Sequence, residues 1–229
     1  MKRLLPVWGG FLLLFCWILT PVNAAHAAVR ADFRADVVSQ QGKQSPQPCG
    51  TVRASGHYVR LDVQLGRAGE FSFILDEEAK RLSVLSLVLK AYVDIPVSGD
   101  ARDWRELVKS VSAAVMPQSM GLMSAEEVER APLSRGSWKG YAANRSRSVF
   151  QFTLMGSQRR VTMEVWENEA FAPLPLRVLV DETRETYASS AWLDNITAEQ
   201  SGDAIFQIPD DFTRYTSVLD MVLYALSLF

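Results

Sequence analysis

Histidine and cysteine are scarce in this chain of 229 residues, which contains two of each. One of each lies within the first 27 residues, so the remainder holds only His57 and Cys49. A zinc site built from several histidines or cysteines is thereby excluded there, as is an internal disulfide. A histidine-assisted nucleophile would have to use His57. Cys49, which is expected in a loop, is either an incidental thiol or a redox or cross-linking one.

A strong charge of either sign is also missing. The chain has 24 Lys and Arg residues against 26 Asp and Glu residues, a formal net charge of -2. Loss of Lys2 and Arg3 with a leader would leave 22 against 26, a net charge of -4. Proteins that bind nucleic acids normally present a basic face, so we expect no nucleic-acid partner.

Catalytic and cofactor-binding motifs are absent from the sequence. It contains no Gly-x-Ser-x-Gly string and no glycine-rich phosphate loop ending in Gly-Lys-Ser or Gly-Lys-Thr. Neighbouring carboxylates occur at 76–78, 126–127 and 210–211, where expected turns or helix starts explain them better than acid–base chemistry does. We therefore expect a protein that is not an enzyme and that carries no cofactor and no metal.

Residues 1–27 have the layout of a secretory signal peptide. A basic pair precedes the apolar stretch Leu4–Leu19, and Ala25-His26-Ala27 places small residues where a signal peptidase reads them, which predicts cleavage before Ala28. The alternative is a permanent anchor, but only Phe11–Thr20 is free of proline and glycine, and a span needs about 20 apolar residues. We expect a periplasmic protein with a single domain over residues 28–229.

Alternating apolar and polar residues predict β-strands in the first half of the mature chain. The alternation covers Phe33–Val37, His57–Leu65 and Glu70–Asp76. Lys80–Ile95 is apolar on both faces, which predicts one long strand that is covered on both sides.

The period changes to that of a helix after residue 100. Apolar residues recur at helical spacing behind Asp100 or Asp103 as N-cap, and these residues are Trp104, Leu107, Val108, Val111 and Val115. Ser124–Glu127 has the form of a capping box and predicts a second short helix. The methionines between the two helices are either core filler or a deformable lid over a ligand cavity.

Five consecutive strands are predicted after residue 136. They are Ser137–Arg145, Ser148–Met155, Arg159–Glu167, Leu174–Thr183 and Glu185–Gln200. Short connections indicate an antiparallel meander. With the helical insert, this predicts an α+β fold in which a single large curved antiparallel sheet carries helices on its concave side.

Two apolar features have more than one interpretation. Ser217–Phe229 is apolar on nearly all sides and too short to span a bilayer. It completes its own core, docks on a membrane or a partner protein, or forms a terminal strand of a barrel. Trp104, Trp138, Trp166 and Trp192 are either core residues or the wall of a greasy cleft, to which Arg60 and Arg177 would add polar groups.

A set of segments in fixed order resembles the periplasmic proteins with the lipoprotein-localisation-factor fold (LolA/LolB-like), especially their uncharacterised branch. The segments cover nearly the whole mature chain: Phe33-Arg34-Ala35-Asp36, Gly50-x-Val52-Arg53, Val59-Arg60-Leu61-Asp62, Phe73-Ile74-Leu75-Asp76, Gly136-x-Trp138-x-Gly140-Tyr141, Val165-Trp166, Leu174-Pro175-Leu176-Arg177 and Phe206-Gln207-Ile208-Pro209-Asp210-Asp211-Phe212.

The resemblance implies an incomplete antiparallel barrel of about eleven strands, closed by a lid of short helices. It also implies a hydrophobic hollow that binds the acyl chain of a lipid or lipoprotein. The expected cavity residues are Leu85, Leu87, Leu89, Trp104, Val108, Val111, Val115, Met116, Met120 and Met123, with Arg60. The alternative is a protein-interaction or envelope-sensor module whose cavity is self-filled and whose partner is an envelope protein. We expect a monomer that touches the membrane transiently, if at all, through residues 217–229.

Overall fold

The computed structural model describes residues 26–39, 42–43, 47–64, 69–115, 123–154, 157–181, 188–199, 202–218, 220–221 and 224. Within these ranges lie fourteen strands and one helix with complete bounds. The strands are β1 His26–Ser39, β2 Gly42–Lys43, β3 Gln47–Gly56, β4 Tyr58–Gln64, β5 Glu70–Asp76, β6 Arg81–Ser86, β7 Ala91–Pro96, β8 Met123–Pro132, β9 Gly136–Trp138, β10 Tyr141–Leu154, β11 Ser157–Glu167, β12 Arg177–Asp181, β13 Ala188–Ala198 and β14 Thr213–Arg214. The helix, α1, is Trp104–Val115. Strand β1 begins two residues before the predicted cleavage site.

The strands form one open sheet in the order β14-β7-β6-β5-β4-β3-β1-β13-β12-β11-β10-β8, with β2 on β1 and β9 on β10. Every pairing is antiparallel except that of β14 with β7. Helix α1 contacts both β7 and β8, which lie ten strand positions apart. Laid flat, those positions would span about 48 Å, whereas twelve helical residues extend about 18 Å. The sheet therefore curls, and α1 lies across the gap between its two ends.

Several predicted elements are confirmed. Alternation located β1, β4 and β5, and the helical spacing located α1, whose N-cap is Asp103. Strand β10 pairs with β11, β11 with β12, and β12 with β13, all antiparallel, which is the predicted meander. The described strands number fourteen, compared with the expected eleven or so, and the lid in the described residues has one helix with complete bounds, compared with several.

The prediction of one long strand over Lys80–Ile95 is wrong. The segment forms β6 and β7, joined by a turn at Leu87–Lys90 in which Lys90 adopts a left-handed φ of 48°. An apolar turn leaves no polar break in the sequence, so alternation alone could not locate it. The predicted covering on both sides is confirmed, because β5, β6 and β7 contribute to separate hydrophobic clusters on opposite faces.

The predicted helix at Ser124–Glu127 is a strand. These residues belong to β8, which pairs with β10 over Met123–Pro132. The ladder with β10 provides the backbone hydrogen bonds that a short capped helix would otherwise make, so tertiary pairing overrides the local capping signal.

The later strands differ in their bounds from the prediction. Ser137–Arg145 is interrupted at Lys139 and Gly140, whose φ values of 51° and 87° form the two-residue turn of a hairpin between β9 and β10. Strand β10 then continues without a break to Leu154. Cys49, expected in a loop, lies in β3. The next residue, Gly50, approaches β4 so closely that a Cβ atom would lie 2.0 Å from the Asp62 carbonyl oxygen.

The core divides into three clusters. We call the sheet face that packs against α1 the inner face and the opposite one the outer face. The inner cluster includes Phe71, Leu75, Leu82, Val84, Val93 and Ile95, packed against Leu107 and Val111 of α1. A second cluster centres on Ala31, Val52, Leu176 and Leu193. The third, on the outer face, joins Ile74 and Leu85 to Phe206.

Candidate functional site

Helix α1 lies on the inner face with its apolar stripe against the sheet. Leu107, Val111 and Ala114 pack against the inner cluster, and the ring of Trp104 lies 5.6 Å from the ring of Phe150 on β10. These contacts attach the helix to both halves of the sheet. The interface between α1 and the inner face is therefore the candidate site.

A buried arginine holds the first turn of α1 to the sheet. Arg105 is 4% exposed and donates from Nη1 and Nη2 to the two carboxylate oxygens of Glu167, at 3.0 and 3.2 Å. Its Nε donates to Glu127 at 3.4 Å, and Nη2 also donates to the hydroxyl of Ser146. Trp104 Nε1 donates to Glu167 at 3.0 Å. Strands β8, β10 and β11 are thus all linked to the helix through one guanidinium.

The balance of charge around this guanidinium favours its ionised form. Burial lowers the pKa of Arg105, but hydrogen bonds and charge from Glu167 and then Asp103 outweigh the desolvation, so the pKa is raised overall. A buried cation with fully formed partners is stable, whereas each partner alone would be costly to leave unpaired. The network therefore holds the first turn of α1 at one position on the sheet.

A strip of half-buried apolar side chains connects the inner cluster with the second cluster, which we call the Ala31 cluster. Val29, Phe33, Leu61 and Leu174 each pack against both the inner cluster and the Ala31 cluster, and none is fully buried. We call these four residues the apolar strip. Because none of the four is fully buried, part of this apolar surface beside the inner cluster stays exposed.

Some predicted cavity residues lie on or beside α1. Trp104, Val108 and Val111 are half-buried on the helix, and Val115 is its last residue. Met123 is the first residue of β8. Met116 and Met120 lie outside the described residues. The structure thus places the helix members of the predicted set together.

The remaining predicted residues lie elsewhere. Leu85 is 1% exposed in the outer cluster, and Leu87 and Leu89 lie in the turn between β6 and β7, with Leu89 packing against the inner cluster. Arg60 projects from the outer face, where it donates to Asp62 at 2.7 Å and to the carbonyl of Ile205. The structure does not bring Leu85 or Arg60 to the helix side.

The described residues from Gly202 to Met221, here called the C-terminal segment, cover both faces of the sheet at its β7 end. Phe206 packs on the outer face, stacked 5.4 Å from Tyr58, and β14 then pairs with β7. Beyond β14, Val218 and Met221 are helical and buried in the inner cluster at 7% and 0% exposure. The described part of Ser217–Phe229 therefore contributes to the chain's own core, the first of its three interpretations.

A row of alternating arginine and tryptophan crosses five strands of the outer face. Register pairs Arg145 of β10 with Trp166, Trp166 with Arg177, Arg177 with Trp192, and Trp192 with Arg34 of β1. We call these residues the Arg–Trp row. Three of the four tryptophans considered above thus lie away from α1, since Trp138 also stacks on Arg177.

An open pocket of about 250 Å³ lies on the outer face beneath the C-terminal segment. Ile74 and Ser83 form its floor and Phe206 and Ile208 its roof, with Asp76 and Arg81 at the side. His57 lies nearby, its Nδ1 3.6 Å from Glu78 and its Nε2 3.9 Å from Asp76. The His57 ring also lies 4.0 Å from the ring of Tyr58.

Sequence reasoning missed Arg105 as a site residue. Its only sequence signal is its place in the first turn of an amphipathic helix, where a charged residue usually faces solvent. Its partners Glu127 and Glu167 come from strands 22 and 62 residues away, so no local pattern connects them.

Two further findings concern the described residues alone. No group of three or more His, Cys, Asp or Glu side chains there is placed to hold a metal ion. None of the helices in those ranges has the length and apolar character needed to span a bilayer.

Comparison with known proteins finds no matching family profile and no matching curated protein. Solved structures that are similar include a DUF1329 family protein from Desulfovibrio piger (10% identity, 88% of this chain and 97% of that one, TM-score 0.29). They also include an outer membrane lipoprotein-sorting protein domain from Vibrio parahaemolyticus (8%, 79% and 89%, 0.30) and MucB (12%, 86% and 63%, 0.28). The family that the sequence resembles is thus represented among them, at low identity and low TM-score.

Proposed function

We propose that the protein is a non-enzymatic binding protein of the periplasm that holds the acyl chain of a lipid or lipoprotein between the sheet and α1. The proposal is supported by the apolar strip, whose four side chains pack against the inner cluster and remain half-buried. An alkyl chain laid along them would remove that surface from water. The proposal needs no covalent chemistry.

The energetics of such binding are favourable. Burial of one methylene contributes about 0.8 kcal/mol, so eight methylenes contribute about 6 kcal/mol before ordering costs. In this proposal α1 acts as the lid, with Trp104, Val108 and Val111 facing the chain. Four further residues remain predicted cavity residues: Val115 at the end of α1, Met123 at the start of β8, and Met116 and Met120, which lie outside the described residues.

The test is ligand capture by the full chain expressed with its leader. Native mass spectrometry of the protein purified from cell envelopes should detect a bound lipid, and the delipidated protein should take up a fluorescent fatty acid. Absence of both would refute the proposal.

Matched variants locate the binding surface. Leu61→Gln, in the apolar strip, should weaken fatty-acid binding about tenfold, because it removes apolar contact worth about 1.5 kcal/mol. Val88 and Val128 are exposed apolar residues, at 44% and 43%. Their change to Gln is the control and should leave the affinity within about twofold. Equal losses in all three variants would place binding elsewhere.

A second candidate function is favoured by Val218 and Met221, which occupy the inner cluster. In this alternative the interior is self-filled and the protein is an interaction or sensor module for an envelope protein. Deletion of Ser217–Phe229 distinguishes the two candidates. A self-filled module should gain surface that binds an apolar dye without taking up fatty acid, whereas a carrier should keep or gain fatty-acid binding.

A further inference from the structure

We propose that the centre of the Arg–Trp row is a binding site for a phosphate group, free or carried on a lipid headgroup, with Arg177 as the residue that contacts it. The site lies on the outer face and does not depend on what occupies the interior.

Arg177 stacks against two indoles. Its guanidinium carbon lies 4.4 Å from the ring centroid of Trp138 and 4.8 Å from that of Trp166. Trp138 is itself fixed, because its Nε1 donates to the carbonyl of Leu193 at 3.3 Å. Two stacking contacts restrain the guanidinium, while its N–H groups still require acceptors.

The other cations around the row have carboxylate partners. Arg145 forms an ion pair with Glu164, Arg34 lies 3.2 Å from Asp194, and Lys139, which lies over Trp138, is 3.1 Å from Asp194. The carboxylates of Glu164 and Asp194 are thus already paired with cations other than Arg177.

Arg177 differs from its neighbours in this respect. Within the described part of the chain its guanidinium makes no hydrogen bond or ion pair. Its buried Nε lacks a hydrogen-bond acceptor, as does the Nε of Arg34, but the latter lies 3.2 Å from Asp194. Burial lowers its pKa and so does the positive charge of Arg145, against an opposing effect of Glu164. An anion that accepts from the Nη atoms would provide charge-assisted hydrogen bonds that no described side chain provides, and would stabilise the charge that burial disfavours.

Phosphate fits this geometry best. A guanidinium fixed in its plane presents parallel N–H donors that match two oxygens of a phosphate. The second negative charge of the phosphate would interact with Arg145 and Lys139, of which Lys139 shares its carboxylate partner, Asp194, with Arg34. A lone exposed lysine would provide attraction but no such directional pair of donors.

The experiment is calorimetric titration of the full chain with inorganic phosphate at constant ionic strength, with chloride as the reference anion. Wild type should show saturable binding. Arg177→Gln should weaken it at least about tenfold, since it removes charge-assisted hydrogen bonds. Arg147→Gln is the matched control: Arg147 is exposed on the same face of β10, two residues from Arg145. This control should change the affinity by less than about twofold.

Two additions keep the result interpretable. Arg177→Lys keeps the charge but lacks the fork, so it should also weaken phosphate binding, and it serves if the Gln variant does not fold by near-UV circular dichroism. Sedimentation with phosphatidylglycerol vesicles then separates the two sources: binding that Arg177→Gln abolishes assigns the site to a headgroup, and phosphate binding without vesicle binding assigns it to a free ion. No saturable binding to either probe, or equal losses in the Arg177 and Arg147 variants, would overturn the proposal.

Discussion

Replacing Arg105 with Met tests whether the buried network really holds α1 on the sheet. The guanidinium is 5% exposed, and removing it leaves the carboxylates of Glu127 and Glu167, 18% and 29% exposed, without their cation. Breaking a buried ion pair from one side costs about 3–5 kcal/mol. Partial access of water to the two carboxylates lowers that cost, so we expect a loss of about 3 kcal/mol in the free energy of unfolding.

The assay is urea unfolding at fixed pH, with Lys109→Met as the control. Lys109 lies on the same helix, is 43% exposed and pairs with Glu106 at 2.7 Å, so its loss should cost no more than about 0.5 kcal/mol. In a companion variant, Glu167→Gln, the amide oxygen should still accept the hydrogen bond from Trp104 Nε1.

A double-mutant cycle then isolates the pair itself. Arg105→Met combined with Glu167→Gln should destabilise less than the sum of the two single changes by about 1–2 kcal/mol, because the second change removes the orphaned charge. An Arg105→Met loss as small as that of Lys109→Met, or strict additivity, would refute the argument that this network fixes the helix.

Two further outcomes are expected. Gly50→Ala should lower the melting temperature by several degrees, equivalent to about 2 kcal/mol, because its Cβ would meet the Asp62 carbonyl oxygen at 2.0 Å. Gly202→Ala, with nothing within 4 Å of the added Cβ, should change the melting temperature little. Equal shifts of the two variants in a thermal melt would contradict the close approach at Gly50. The pKa of Asp194 is lowered mainly by its hydrogen bond from Lys139, so its contribution is present above its unfolded pKa and is lost as the pH falls. Asp194→Asn should therefore cost about 0.5 kcal/mol at pH 7 and nothing at about pH 2, measured by urea unfolding at both; a difference that persists in acid would exclude this cause.

The sequence predicted best where one face of a strand is wet. In β4 the polar partners of Val59 and Val63 mark the period of two, so the strand and its buried face both follow from the pattern. Where both faces are covered the signal fails, as in β6 and β7. There Leu82 faces the helix and Leu85 faces Phe206, and an apolar turn joins the strands.

Long-range contacts explain the other differences. The capping box at Ser124–Glu127 is a local signal, but Glu127 lies in β8, paired to β10 and within hydrogen-bonding distance of Arg105. The Arg–Trp row likewise exists only in register: Arg145, Trp166 and Arg177 are spread over 33 residues and become neighbours through two hairpin ladders. Single-residue patterns could nominate Arg177 as a polar group near tryptophans, but a cleft lined by those tryptophans was one of two interpretations, and neither predicted the row on the outer face.

Access to the interior depends on which of two attachments gives way. Lifting the first turn of α1 breaks the Arg105 network and leaves charges unpaired. An alkyl chain has no polar group that could pair with them. Displacing Val218 and Met221 instead loses only apolar burial, about 1.5–3 kcal/mol for each side chain or about 3–6 kcal/mol together. At about 0.8 kcal/mol per methylene, four to eight buried methylenes would replace that loss. Under the proposed function an acyl chain would therefore enter by exchanging with the C-terminal segment while Arg105 keeps the helix in place, so Arg105→Met should impair stability more than it alters fatty-acid affinity.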